Sequence, residues 1–471
     1  MTNYDIIIAG AGPAGIFLAH EAKKLNHNVR ILLIDQGQPI ERRVCPVANG
    51  GKCVKCKPFC HITNGFSGAG AFSDGKLSLY NEEDDDIHVG GMIHKYVGVE
   101  EAKKLIKYTD ELYLSYGADK KVEGVEHTEE IKAYKERAKR YGIDLISVPI
   151  RHLGTEKAHE LYKAMQDSLI EMGVDILMST VVSDLIIRDG QVKGIVTENP
   201  RTEYYADNVV LAVGRKGAKW LSDMCDKHNI KDRAGIVDIG IRYELPDAVM
   251  QDINRVMYEA KFVGRLKPYE DKVRTFCQNP SGFVSSEVYD DGLTLVNGHS
   301  YKDKKSTNTN LAILCSHHFK DPFDQPLLYG RNIAKNANLL ANGQVLVQRL
   351  GDILTGHRSH DYWIQKNSVV PTLTSAVAGD VTQALGYRTM TNILEFIKTL
   401  DNVVPGFASA DNLLYSPEIK FYSNELVIDK NFETSVAGLY SIGDAGGLTR
   451  GLMQASASGV HLARVLIRKI M

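Results

Sequence analysis

The sequence predicts an α/β fold, α+β overall: a parallel-sheet domain assembled from three visits of the chain, with a second domain of mixed or antiparallel sheet inserted. Three observations predict it. An apolar strand at the N-terminus runs into a glycine-rich turn, a helix, a second strand and an acid. A matching strand, Gly-Asp turn and small-residue helix closes the chain. Between them stand about 190 residues with strands of their own, too many for a loop.

Composition sets the frame. The 471 residues are 44% hydrophobic and 24% charged, which excludes a disordered or collagen-like chain. Lys+Arg 56 against Asp+Glu 58 gives a net charge of −2, with no basic footprint for nucleic acid. No apolar run reaches the roughly 20 residues a membrane-spanning helix needs. Seven cysteines without a signal-peptide pattern do not read as a secreted disulfide framework, so a cytoplasmic protein is expected.

The first strand is Tyr4 to Ala9, buried and parallel by its run of isoleucines. Gly10-Ala11-Gly12-Pro13-Ala14-Gly15 follows, then a helix to about Leu25, a strand Val29 to Ile34, and Asp35. This is G-x-G-x-x-G in the Rossmann-like context. Gly10 permits the tight turn, Gly12 admits a pyrophosphate, and Gly15 lets helix and strand close up. The helix N-terminus supplies N–H groups and partial positive charge to phosphates. Asp35 is placed to accept from the adenosine ribose, which disfavours a 2′-phosphate. Gln36, Arg42 and Arg43 follow as neighbours of ribose or phosphate.

At the other end Leu439-Tyr440-Ser441-Ile442 leads into Gly443-Asp444, and a helix starts near Gly451-Leu452-Met453. An Asp after a strand suits a flavin ribityl chain, and the helix N-terminus suits a flavin edge or phosphate. A simple NAD dehydrogenase needs no such second contact, so FAD is the expected cofactor. With Val209-Val210-Leu211-Ala212-Val213-Gly214 as a third segment, the chain resembles the two-dinucleotide-fold flavoproteins of glutathione-reductase type, although Val213 replaces their usual Thr. More narrowly, it is similar to a group of largely uncharacterised bacterial and archaeal FAD-dependent dehydrogenases. The segments carrying that likeness are Gly65 to Lys76, Asn297-Gly298-His299-Ser300 and Leu448-Thr449-Arg450-Gly451. The Gly-Asp-Ala segment is similar also to geranylgeranyl reductases.

The resemblance implies the domain plan: FAD-binding parts at 1–83, 150–235 and 425–471, a helical insertion at 84–149, and a substrate or cap domain at 236–424. In the second part a helix is expected at Glu156–Met172. A hairpin of Val181–Ile187 and Val192–Thr197 should turn at Asp189-Gly190, with Val182 contacting adenine by analogy to the family. The insertion carries helical periodicity at Val99–Tyr116 and Glu126–Tyr141. In the cap domain, strands are expected at Ile236–Tyr243, Val273–Gln278, Gly292–Asn297 and Asn310–Ser316, and helices near Gly343–Leu354 and Thr391–Leu400. No second G-x-G-x-x-G unit is found, so NAD(P)H, if it is the external electron donor or acceptor, binds transiently.

Cys45, Cys53, Cys56 and Cys60, beside His61, admit three readings. They make a C-x-x-C dithiol with thiolates favoured by Lys52, Lys55 and Lys57, a zinc or iron–sulfur site, or reduced structural thiols. For catalysis, Lys76 is a candidate to stabilise charge on the flavin, and His299, His317 or His318 to carry the accompanying proton. Glu418 with Lys420 forms a further candidate pair. The expected function is hydride transfer between a small organic substrate and flavin. The alternatives are an isoprenoid or other alkene reductase, and a flavin electron-transfer or redox-sensing protein using the cysteines.

Overall fold

Ile6, Ile7 and Ile8 are wholly buried, and their side chains go to opposite faces of a sheet, Ile6 and Ile8 into one apolar core and Ile7 into another. A computed structural model of the chain describes residues 3–45, 54, 56–70, 75–80, 90–153, 155–233, 235–257, 259–289, 292–300, 304–319, 325–422 and 425–471. It divides into two compact units: residues 1–122, 148–235 and 422–471, and residues 123–147 and 236–421.

In the first unit the described residues form a five-stranded sheet in the order Leu439–Ser441, Val209–Leu211, Ile6–Ala9, Ile31–Ile34, Asp175–Leu177, every pair parallel. Such strands are covered on both faces and so are apolar throughout. One face carries the helices Pro13–Leu25, Val99–Ser115, Thr155–Glu171 and Leu452–Ile470. The other carries the antiparallel strands Val181–Arg188, Gln191–Glu198 and Glu203–Tyr205, and the helix Ala218–His228. The hairpin turn has Asp189 and Gly190 at φ of 51° and 73°, the positive angles that Asp-Gly provides.

The second unit holds an eight-stranded sheet among the described residues. Its order is Val377–Ala378, Leu346–Arg349, Leu413–Phe421, Val237–Pro246, Asn308–His317, Lys272–Asn279, Lys261–Arg265, Ile143–Ile146. Only the first pair is parallel. Helices Thr128–Arg140, Asp247–Val256, Pro326–Leu340 and Tyr387–Leu400 cover one face. A separate hairpin pairs Phe283–Val288 with Thr294–His299.

Two expectations need correction. The segment 84–149 is not one insertion. Val99–Ser115 belongs to the first unit, whereas residues 123–147 join the second, where Ile143–Ile146 becomes an edge strand. Amphipathic periodicity marks a helix but not which core it covers. Residues Gly343–Leu354 are not one helix either: Leu346–Arg349 is a strand, followed by the short helix Leu350–Leu354. The apolar run around Leu346 and Val347 fits both periods, and pairing with Leu413–Ser416 decides it.

Candidate functional site

The glycine turn lies at the carboxyl end of the first strand, the edge where open α/β sheets bind ligands. Its three glycines answer to three different constraints. A Cβ at Gly10, whose φ is +118°, would lie 2.4 Å from the Ala212 carbonyl oxygen. A Cβ at Gly15 would lie 2.1 Å from the Gly10 oxygen. A Cβ at Gly12 would meet nothing within 4 Å, so this position faces open space. Pro13 opens the helix, at a position whose missing N–H costs nothing. Ala11 and Ala14 are buried beside it. The arrangement fits a pyrophosphate seated against Gly12 at the helix N-terminus.

Asp35 does more than await a ribose. Oδ1 accepts from the backbone N–H of Gly37 at 2.8 Å and of Gly65 at 2.9 Å, and Oδ2 accepts from Ala11 at 3.0 Å. The carboxylate thus ties the glycine turn to a second loop, and Oδ2 keeps a lone pair for a ribose hydroxyl. Gln36 continues the tie, donating to Asn64 Oδ1 at 2.6 Å.

The second loop is held by Arg43, which is 1% exposed. Its guanidinium donates to the carbonyls of His61 at 2.9 Å and Ile62 at 2.8 Å, to that of Phe66, and to Ser67 Oγ at 2.8 Å. Burial pushes its pKa down to about 10, against the opposing field of Asp35. Ser67 N donates to the Ala11 carbonyl at 2.8 Å, and a Cβ at Gly68 would lie 3.4 Å from Gly12 Cα. The loop therefore lies along the dinucleotide turn. Of the two arginines expected beside the ligand, Arg42 is exposed on the turn Ile40–Arg42, and Arg43 is the one that shapes the loop. Nothing in adjacent sequence distinguishes the two arginines; the distinction comes from contacts 18 to 24 positions away.

Gly443 brings the far end of the chain to the same place. It has φ +65°, and a Cβ there would lie 3.0 Å from Ala14 Cβ. Its N–H donates to Ser458 Oγ at 3.1 Å, and Asp444 Oδ1 accepts from Thr449 Oγ1 at 3.1 Å. Gly451 caps the helix Leu452–Ile470, with Leu452 and Met453 in its first turn. The Gly451 N–H is taken by the Gly90 carbonyl at 3.0 Å. A Cβ at Gly459 would lie 2.2 Å from the Ala14 oxygen, so this glycine sets how closely the last helix crosses the first. The Gly443-Asp444 turn thus lies against the first motif, and the last helix crosses the first one at Gly459. Val182 is half-buried in its strand, paired with Thr197, and Gly214 is exposed just beyond the strand Val209–Leu211.

The catalytic candidates divide. Lys76 is half-buried in the strand Lys76–Ser78, opposite His152. His318 is exposed just past the end of its strand. His317 is half-buried, 3.2 Å from Thr389 Oγ1, and burial lowers its pKa. Glu418 is fully buried between Arg242 and Lys420, a setting that suits an ionic anchor rather than a proton-transfer group meeting substrate. Arg242 was legible only as one of three polar residues alternating with Ile239, Ile241 and Tyr243. Cys45 is buried, Cys56 and Cys60 are half-buried, and all three are free thiols. Cys53 lies outside the described residues, as do residues 71–74 of the glycine-rich run. Among the described residues no three His, Cys, Asp or Glu side chains are grouped to hold a metal.

Two family models match the chain. One, described as FAD binding domain, covers residues 95–234, and the other, FAD-dependent protein, C-terminal domain-like, covers 238–420. An uncharacterized protein of Clostridium beijerinckii is 22% identical over 98% of this chain and 80% of its own length. Among solved structures, the FrdA chain of Escherichia coli quinol fumarate reductase is 13% identical with a TM-score of 0.46, covering 100% of this chain and 71% of that one. L-proline dehydrogenase from P. horikoshii is 12% identical with a TM-score of 0.41, over 99% and 94%. A geranylgeranyl bacteriochlorophyll reductase-like protein of Thermoplasma acidophilum is 13% identical with a TM-score of 0.37, over 100% and 79%. Both family descriptions name FAD, which is the cofactor of this chain. Among the described residues no helix is long and apolar enough to cross a membrane.

Proposed function

We propose that this chain transfers a hydride between a small organic substrate and FAD held in the first unit. The observation carrying the reading is the approach of Gly443 to Ala14, which joins the two flavin motifs from opposite ends of the sequence. FAD supplies the two-electron chemistry when bound. The chain supplies position and polarity. Gly12 leaves room for the pyrophosphate, the N-terminus of Pro13–Leu25 faces it, and Oδ2 of Asp35 receives a ribose hydroxyl. Asp444 would hold the ribityl hydroxyls, and the first turn of Leu452–Ile470 would offer N–H groups to the flavin. Lys76 is the cation proposed to steady the negative charge that reduction creates, and the proton that accompanies hydride transfer is assigned to His318. An external acceptor or donor completes the cycle, with NAD(P)H the first to test.

The test is an anaerobic absorbance spectrum of freshly purified protein, before and after denaturation. A two-banded flavin spectrum that releases free FAD is expected. Protein that stays colourless after incubation with FAD refutes the reading. A broad, bleachable shoulder beneath the flavin bands would shift the assignment to electron transfer through Cys45, Cys53, Cys56 and Cys60.

A further inference from the structure

One face of the strand Val237–Pro246 is ionic. Asp238, Arg242 and Glu244 recur at even spacing and are fully buried, while Ile239, Ile241, Tyr243 and Leu245 fill the apolar core opposite. A buried ion network rarely stabilises a fold better than apolar residues of equal volume, so its presence calls for a reason beyond folding.

Most of the network is satisfied. Arg242 Nη2 donates to Glu418 Oε1 at 2.8 Å, and Nε lies 2.8 Å from Oε2, off the hydrogen-bond direction. Its other contacts are the Cys277 carbonyl at 2.8 Å and Asn297 Oδ1 at 3.0 Å. Arg274 pairs with Asp238, whose second oxygen accepts from Ser316 at 2.6 Å. Lys420 is different. It is 9% exposed, and its ammonium lies 2.9 Å from Glu418 Oε1. Glu418 is its one ion-pair partner among the described residues, which leaves at least two of its three N–H donors uncommitted. The ammonium is also 6.0 Å from the centroid of the Phe276 ring, and the Arg274 guanidinium is 4.7 Å from the same ring. A second uncommitted donor, Asn310 Nδ2, is fully buried in the same network, where Asn310 Oδ1 lies 3.5 Å from Arg242 Nη1.

We propose that Lys420 and Phe276 form an anion subsite that takes the carboxylate of a small organic acid. The carboxylate accepts from the ammonium, and the ring lies against the acid's apolar body. Arg242 and Lys420 carry two positive charges against the single negative charge of Glu418, Arg274 with Asp238 is a neutral pair, and Glu244 is bonded apart from them to Asn308, Thr372 and Tyr415. Among the described residues Glu287, half-buried, reaches the network only through Asn297 at 3.3 Å. One negative charge from a ligand balances the triad. Glu418 is then a positioning residue that fixes Lys420. The inference rests on the proposed function only in calling this acid the substrate.

The experiment is isothermal titration calorimetry of the full chain loaded with FAD, against sodium benzoate, propionate and succinate, with benzamide as the neutral control. FAD content per chain is measured on every sample. At least one acid is expected to bind once per chain, and benzamide to bind at least about tenfold more weakly than benzoate. Lys420→Gln should lose about tenfold or more in affinity for that acid at unchanged FAD content, and Lys420→Arg should recover most of it. Phe276→Leu, which leaves both ion pairs in place, should weaken benzoate more than propionate. Binding of none of the acids, equal affinity in Lys420→Gln, or benzamide matching benzoate overturns the subsite. Absence of FAD overturns the oxidoreductase reading instead, and the same titration on that protein still decides the subsite.

Discussion

Replacing Arg43 tests whether the loop around Phe66 builds the dinucleotide site or merely adjoins it. The guanidinium is 1% exposed and makes four hydrogen bonds, three to backbone carbonyls and one to Ser67 Oγ. A hydrogen bond from a charged donor contributes about 1.5–3 kcal/mol, and four would give roughly 6–12 kcal/mol gross. Against this stands the cost of burying the cation, visible in its lowered pKa, and Arg43→Ala abolishes that cost as well. The net loss should therefore fall near that of breaking a buried ionic network, about 3–5 kcal/mol. For a unit of this size each kcal/mol shifts Tm by about 2–4 °C, so a drop of at least roughly 6 °C is expected. The assay is differential scanning fluorimetry with and without added FAD, alongside fluorescence titration of the apoprotein with FAD. Arg43→Ala should lose at least about tenfold in FAD affinity, because Ser67 N no longer fixes the Ala11 carbonyl. Arg43→Lys, which keeps the charge but not the planar fork, should recover only a small part of the loss. A variant within about 2 °C of the parent in Tm, with unchanged FAD affinity, would refute the reasoning.

Three further outcomes follow from single contacts. Gly12→Ala should leave the apoprotein's Tm nearly unchanged, because its Cβ meets nothing, yet weaken FAD by about tenfold or more in a fluorescence titration. Gly15→Ala should lower the apoprotein's Tm outright, because its Cβ would lie 2.1 Å from the Gly10 oxygen. Glu244 is buried and desolvation raises its pKa, against the lowering by hydrogen bonds from Thr372, Tyr415 and Asn308. Its folded-state pKa thus exceeds the unfolded one, so its contribution is fully present below the ordinary carboxylate pKa and is lost as pH rises through the raised value. Chemical denaturation across pH should show that decline in the parent protein and its absence in Glu244→Gln.

The parts legible in the sequence were those in which local pattern and chemistry coincide. The isoleucine strand, the glycine turn and the acid at 35 stand in fixed order, and the chemistry of each is read from its own residues. The strand Val237–Pro246 was legible too, but its character was not. Charges alternating with isoleucines in a strand ordinarily mean a wet outer face, and here Asp238, Arg242 and Glu244 are all buried. Singling out Arg43 from Arg42 was beyond local reasoning, because neither periodicity nor spacing separates adjacent arginines. The helix Thr128–Arg140 was expected where it is found, yet its membership of the second unit depends on Ile143–Ile146 pairing with Lys261–Arg265, more than a hundred residues later.

Asp35 and Arg43 act on one loop with opposite polarity, which bears on how the cofactor is bound. Asp35 accepts the N–H of Gly65, while Arg43 donates to the carbonyls of His61, Ile62 and Phe66. Between them they satisfy backbone groups that would otherwise need water or ligand. The same Asp35 also accepts the N–H of Ala11 within the glycine turn. Turn and loop are thus bonded to each other by the protein alone. A ligand entering such a site does not have to order the loop, so its binding energy is not spent on that entropy. On the proposed binding mode the carboxylate at 35 would contribute to FAD affinity mainly by preorganisation, with the proposed ribose contact at Oδ2 added to it. This distinguishes Asp35→Asn, which can still accept the Gly65 N–H through its one carbonyl oxygen, from Asp35→Ala, which removes every bond from position 35 to the loop and leaves it to Arg43 and the Ser67–Ala11 bond.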